Sequence, residues 1–179
     1  MNTSNAIRIR DAEPIEHDAL RQVTLAAYQQ YAGVMPHWHM YKQHLSTTLT
    51  SDQQAARIVA ELRGEVVGSV LLAPPTTSAG STQAVFTSWP QVRLLAVAPI
   101  ARGVGVGAAL LDECVRRARH GGATRLGLHT EDLMEVAMGM YIRKGFVRAP
   151  EFDFMPAPGV LVKAYQRNLG DGTVEPEPG

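Results

Sequence analysis

Residues 102–108, Arg-Gly-Val-Gly-Val-Gly-Ala, place Gly103, Gly105 and Gly107 at alternate positions between an apolar run and the start of a helical pattern. Glycine loses more backbone entropy on ordering than any other residue, so three at the mouth of a helix suit a backbone that must approach a partner closely. Such a turn gathers free N–H groups and the positive helix end at one point, which favours phosphate oxygens, and Arg102 adds a charged donor at the rim. The same glycines also suit a tight strand-to-helix turn that only allows close packing. A P-loop is excluded, because Gly, four residues and then Gly-Lys-Ser/Thr occurs nowhere. A dinucleotide-binding turn fits less well: the pattern is G-x-G-x-G, with Leu110 where a final glycine would follow Gly105 and Gly107, although Glu131 stands where a ribose-binding acid is wanted.

Other chemistry-bearing side chains are fewer. His37, His39 and His44 lie close together, but no carboxylate or cysteine completes a ligand spacing around them, so no metal is expected. Cys114, the one cysteine, sits in an apolar helical pattern without a histidine partner and reads as packing.

The elements that must position the glycine turn follow from periodicity. AIRIR alternates as a strand, and 14–33 follows as a helix with proline in its first turn and Leu20, Val23, Ala27 and Tyr31 on one face. A second helix, 37–50, aligns Trp38, Tyr41, Leu45 and Leu49. RIVAEL and VVGSVLLA flank Arg63, Gly64 and Glu65 as a hairpin. Residues 74–90 are rich in turn formers and too long for an ordinary connection, which implies a functional or mobile loop. QVRLLAVAP is a strand with an apolar centre. Beyond the glycines, Leu110, Leu111, Cys114, Val115 and Ala118 recur at helical spacing until Gly121 and Gly122. A strand at 124–130, a helix at 132–144 ended by Gly145, an extended piece at 146–155 and a strand at 160–169 complete the order, which predicts an α/β fold with a mixed, twisted central sheet.

The 179 residues, 45% hydrophobic and 19% charged, predict one domain over 1–169 with a disordered tail at 170–179. Lys+Arg and Asp+Glu both number 17, so no charge excess points to nucleic acid, and an anionic ligand must be held locally. The N-terminal residues lack the apolar core of a signal peptide and no run approaches a bilayer span, which predicts a cytoplasmic chain that does not engage a membrane.

With the elements in this order, LLAVAPIARGVGVGAALL, in which Arg102, Gly105 and Gly107 form R-x-x-G-x-G, resembles the acetyl-CoA-binding motif of the GNAT superfamily of N-acetyltransferases. AMGMYIRKGF resembles that family's next motif, a helix with a tyrosine four residues before Gly-Phe; Tyr141, Gly145 and Phe146 match. The resemblance implies a GNAT fold, acetyl-CoA as cosubstrate and an amine acceptor. It also implies that the backbone of Leu95, Ala96 and Val97 pairs with the pantetheine arm, while the amides from Arg102 through Gly103, Val104, Gly105, Val106 and Gly107 to Ala108 hold the diphosphate. Assembly as a homodimer stays open.

Acetyl transfer needs a neutral amine, a polarised thioester carbonyl and a proton for the departing thiolate. By the resemblance Tyr141 is the general acid: a phenol of pKa about 10 can protonate a thiolate whose thiol has pKa about 8.5. A backbone N–H near Val97 is the expected polarising donor. Many relatives carry a glutamate base near position 91, where this chain has Gln91, which accepts no proton at neutral pH. Deprotonation then falls to a water chain reaching His129 or Glu131, or the acceptor has a low pKa. Met134 replaces an asparagine that contacts the cofactor in many relatives. Tyr28, Tyr31, Trp38 and Tyr41 suit a wall over the acceptor, with Tyr31, Trp38, Gln91 and His129 as its candidate contacts. The departures at Gln91 and Met134 also leave room for a non-catalytic acyl-CoA-binding module.

Overall fold

A computed structural model describes residues 6–51, 54–76 and 86–170. The tail beyond Gly170, and positions 77–85 of the turn-rich stretch, lie outside the described residues. The strands are β1 (Arg8–Asp11), β2 (Ala56–Leu62), β3 (Glu65–Ala73), β4 (Gln91–Val97), β5 (Arg125–Thr130), β6 (Val147–Arg148), β7 (Phe154–Ala157) and β8 (Val160–Asn168). The helices are α1 (His17–Tyr28), α2 (Trp38–Ser51), α3 (Val106–His120) and α4 (Glu135–Arg143). The sheet order is β1-β2-β3-β4-β5-β8-β6, with β7 on β8. It is mixed, as expected: β4 and β5 run parallel, while β1–β2, β2–β3, β5–β8 and β6–β8 are antiparallel.

The chain divides into two compact units, one of residues 1–73 with 93–113, the other of 74–92 with 114–179. In the first, the predicted hairpin turns through Arg63 and Gly64 with φ of 55° and 85°. Both central residues are left-handed, as a two-residue type I′ turn requires, and glycine takes that conformation without strain. A register shift at Ala60/Glu61 leaves Val67 as the extra residue of β3, and its carbonyl accepts from Ala98 N–H at 2.8 Å.

Helix α1 ends at Tyr28, sooner than the sequence predicts, and continues as a 3₁₀ turn, Gln29–Tyr31. Its buried residues are Leu20, Thr24, Ala27 and Tyr28, so Tyr28 takes the place expected of Tyr31. Thr24 survives burial because its hydroxyl donates to Leu20 O (2.9 Å) and shares a 3.1 Å hydrogen bond with Ser69 Oγ. Leu20, Leu49, Val59 and Leu71 pack into one core cluster with Ala55 and Ala73. Removing such a leucine from water contributes about 2 kcal/mol. The predicted start at Pro14 proves to be a separate 3₁₀ turn, Pro14–Glu16, closed by reciprocal Glu13 and Glu16 capping. Arg10 clamps Glu16 with two bonds of 2.7 Å and reaches Glu61 at 3.0 Å.

In the second unit, β5 pairs with β8 from Arg125↔Asn168 to Thr130↔Lys163. The piece expected to be extended, 146–155, is broken by a 3₁₀ turn, Pro150–Phe152, with proline in its first position. Arg148 grips both oxygens of Asp153 (2.8 and 2.7 Å), and Asp153 Oδ1 accepts Ala164 N–H at 2.8 Å. That pairing holds the Asp153 carboxyl below its ordinary range and fastens the detour onto β8. Phe86, Ala149, Phe152 and Ala164 form the local core. Among the described residues, no helix is long and apolar enough to cross a membrane.

Candidate functional site

The glycine turn leaves β4 through a short 3₁₀ segment, Pro99–Ala101, and enters α3 at Val106. Gly103 and Gly105 have φ of 79° and 94°, a region that side-chain-bearing residues enter at a cost of about 1–2 kcal/mol. A Cβ on Gly103 would meet nothing within 4 Å, and one on Gly105 only Ile7 Cδ1 at 4.0 Å. These glycines therefore serve turn conformation and open backbone, not close packing. Arg102 through Gly105 are exposed, Val106 is buried, and Gly107 and Ala108 are half-buried. The first intrahelical bond is Ala109 N–H to Gly105 O at 3.0 Å, so the amides of Val106, Gly107 and Ala108 precede the helical ladder. An exposed turn leading into amides that precede the ladder, at the positive end of a 15-residue helix, fits an anion. Arg102 Nη2 donates to Ala27 O at 3.1 Å, which plants its guanidinium beside the end of α1.

Helix α3 can sit close to the sheet because β3 carries glycine at 68. A Cβ there would lie 2.7 Å from Val106 Cγ1, 3.1 Å from Leu110 Cδ1 and 3.2 Å from Ala96 O. The sequence reading missed this residue, since a glycine inside an apolar strand carries no mark of which helix will press on it. It also missed Leu94, left-handed at φ 49° in the middle of β4. Leucine is among the residues least suited to that region, and such outliers collect at functional sites. The parallel ladder with β5 covers Gln91 and Val92, before the outlier; Leu95, Ala96 and Val97 come after it.

The four rings Tyr28, Tyr31, Trp38 and Tyr41 contact one another within the first unit. Tyr28 meets Tyr31 (centroids 6.1 Å) and Tyr41 (6.0 Å), and Tyr41 meets Trp38 (6.3 Å) and His44 (6.3 Å). The Tyr28 hydroxyl donates to Leu95 O at 3.4 Å, joining this cluster to β4. Burial pushes the Tyr31 phenol up, and the nearby Arg102 charge partly opposes that. His37 occupies the turn before α2 with φ 64°. Among the described residues, no group of three or more His, Cys, Asp or Glu is placed to hold a metal ion. Cys114 is fully buried.

In the second unit, Tyr141 is buried near the end of α4, its ring 6.1 Å from Phe146. Met134 is buried just before that helix, its N–H donating to Glu131 O at 2.9 Å. Gln91 is buried too: its amide donates to Phe86 O (2.8 Å) and Trp89 O (3.1 Å) and fills the space a Cβ on Gly127 would take. His129 Nε2 bonds Phe152 O at 3.0 Å; because a carbonyl only accepts, that nitrogen carries the hydrogen. The ring lies edge-on to Phe86 (4.7 Å) and Phe154 (5.0 Å). Glu131, the residue after β5, is half-buried, and burial pushes its carboxyl up.

A mixed sheet with a parallel step between β4 and β5, and a glycine turn that leads from β4 into a long helix, places the molecule among α/β proteins. A family model described as acetyltransferase (GNAT) family matches residues 18–146, and the chain belongs to that family. No curated protein matches the chain. Among solved structures it is similar to an acetyltransferase of the GNAT family from Staphylococcus aureus Mu50 (17% identity, TM-score 0.69), covering 92% of this chain and 99% of that one. It is also similar to PaiA N-acetyltransferase from Thermoplasma acidophilum in complex with coenzyme A (14% identity, TM-score 0.65), covering 91% and 99%. A GNAT family acetyltransferase from Brucella melitensis in complex with acetyl-CoA is 24% identical with a TM-score of 0.60, covering 80% and 84%. At these identities the likeness shows the fold.

Proposed function

We propose that residues 1–169 act as one acetyltransferase domain that moves acetyl from acetyl-CoA to a primary amine by direct attack. The observation that carries this reading is the exposed turn from Arg102 to Gly105, with left-handed glycines and unladdered amides at the start of α3. Two of the structural neighbours hold coenzyme A or acetyl-CoA, and the family match includes residues from both compact units. A lone cysteine, buried at position 114, suits the reducing cytoplasm.

When bound, acetyl-CoA supplies an acetyl group activated as a thioester. The amides of Gly103, Val104, Gly105, Val106, Gly107 and Ala108 hold the diphosphate, and the Arg102 donors not spent on Ala27 O add charge. The backbone of Leu95, Ala96 and Val97 pairs with the extended arm, and an N–H near Val97 polarises the carbonyl. Glu131 accepts the proton of the acceptor ammonium, directly or through water. Its raised pKa makes it a better base than an ordinary carboxylate, whereas Gln91 has no proton-accepting role. The amine lone pair forms the new N–C bond as the C–S bond breaks, Tyr141 gives its proton to the sulfur, and the second proton lost by the nitrogen restores the phenol. His129 is oriented by Phe152 O, and the rings of Tyr31 and Trp38 are the acceptor contacts offered by the first unit.

Thiol release from acetyl-CoA across a panel of amines tests the reading. Release above background for any amine supports transfer. Coenzyme A binding by calorimetry with no release for any amine leaves a non-catalytic acyl-CoA-binding module, and no binding at millimolar ligand overturns both.

A further inference from the structure

The segment that carries the aromatic cluster has an unusual charge pattern. From residue 19 to 51 the chain contains no Asp or Glu, while Arg21, Lys42 and the histidines at 37, 39 and 44 all fall within it. The rings of Tyr31, Tyr28, Tyr41 and Trp38 form a continuous run of contacts, each with centroids 6.0–6.3 Å apart. The run ends on β4 through the Tyr28 hydroxyl and Leu95 O. Beside the half-buried Trp38 and Tyr41, Val34 and Met40 present apolar side chains to solvent, 67% and 64% exposed.

We infer that the acceptor is a monoamine with an aromatic or apolar body, bound against Trp38 and Tyr41, and that polyamines, aminoglycosides and lysine-rich peptides are poor acceptors. This rests on the acetyl transfer proposed above. Each additional ammonium of a polycation would have to leave water against a segment, 19–51, that supplies no carboxylate of its own and carries the like charge of Lys42, while Glu131 is engaged by the reacting ammonium. A ring-bearing amine instead stacks its apolar body on the wall and brings only the ammonium that must lose its proton to react. The products are the N-acetylated amine and the free thiol of coenzyme A, with the ammonium proton released.

The test compares 2-phenylethylamine with spermidine and a lysine-rich peptide at matched concentrations, using the full chain, acetyl-CoA and thiol release. The ring amine should have a kcat/KM about tenfold or more above either polycation. Tyr41→Ala should lower its kcat/KM about tenfold, through KM, whereas Trp38→Phe, which keeps a ring, should change it less than about twofold. Met40→Glu alters an exposed position that the fold tolerates, and a carboxylate there should raise kcat/KM for spermidine and narrow the ratio. A preference for spermidine or the peptide, or a ratio unmoved by Met40→Glu, overturns the inference. Calorimetry of the two small amines on the coenzyme-free chain separates this outcome from failure of acetyl transfer itself. Tighter binding of 2-phenylethylamine that is weakened by Tyr41→Ala upholds the acceptor site even without thiol release, and equal or weaker binding than spermidine overturns it.

Discussion

The rings of Tyr141 and Phe146 meet at a tilt of 59°, with centroids 6.1 Å apart, at the end of α4, and the backbone explains why. Phe146 N–H returns to Tyr141 O at 3.0 Å, Gly145 N–H returns to Ile142 O at 3.0 Å, and Gly145 takes φ 82°. This paired capping brings the residue two past the helix cap onto the residue three before it, so one turn geometry sets both the Gly-Phe spacing and the tyrosine's orientation. Tyr141→Phe should lower turnover by roughly 10²–10⁴ with coenzyme A affinity unchanged by calorimetry. Equal activity would remove Tyr141 from its role. Phe146→Ala should cost about 3–5 kcal/mol in denaturant unfolding and also reduce turnover, because the tyrosine loses its backing.

Glu131 should leave a mark on the pH profile. Its carboxyl is pushed above the ordinary value of 4.5 by burial, so kcat/KM should fall as pH drops through that raised pKa and the base becomes protonated. Glu131→Gln should lose this acidic limb along with most of the activity; an unchanged limb assigns the base elsewhere.

Two left-handed glycines with open space around them separate strain from recognition. Gly64→Ala and Gly105→Ala should each cost about 1–2 kcal/mol of stability, since both positions require positive φ. Only Gly105→Ala should also weaken coenzyme A binding, measured by titration calorimetry. Matching affinities in the two variants would count against the turn as the diphosphate site.

Restoring a carboxylate at position 91 should do harm. Gln91 donates to two carbonyl oxygens in a buried place, where Gln91→Glu would set a charge against both acceptors. The folded-state pKa of that new glutamate should rise above its unfolded value. Destabilisation should therefore be largest above the raised folded-state pKa and lessen as pH falls from there toward the unfolded value and the group protonates, by about 2 kcal/mol or more between pH 7 and pH 4. A gain in acetyl transfer at neutral pH would contradict this account.

The Arg10–Glu16 clamp should govern acid stability. Bonding to Arg10 lowers Glu16 from 4.5 to about 2, so its contribution is present above about 4.5 and is lost as pH falls from there toward about 2. Thermal melts should show that loss in the native chain, and Glu16→Gln should be less stable at pH 6 with a flatter acid limb.

What the chain announces by itself is what neighbouring residues decide. The Arg63-Gly64 turn, the glycines from 103 to 107 and the Gly145-Phe146 cap are set by backbone preferences over two to six residues, so their types and spacing suffice to read a hairpin, the start of a helix after the glycines and a helix end at Gly145. Tertiary structure alone decided the rest. Gln91 reads as a candidate acceptor contact, and only the fold turns the Phe86 and Trp89 carbonyls toward its amide; Gly68 reads as an idle strand glycine until Val106 presses on it. Thr24 becomes a core residue only when Ser69 arrives from 45 positions away. Leu94 adopts a conformation its own side chain disfavours, because packing and pairing along β4 outweigh a local cost of about 1–2 kcal/mol. Contacts between distant residues depend on how the elements meet, and no short window of sequence carries that information.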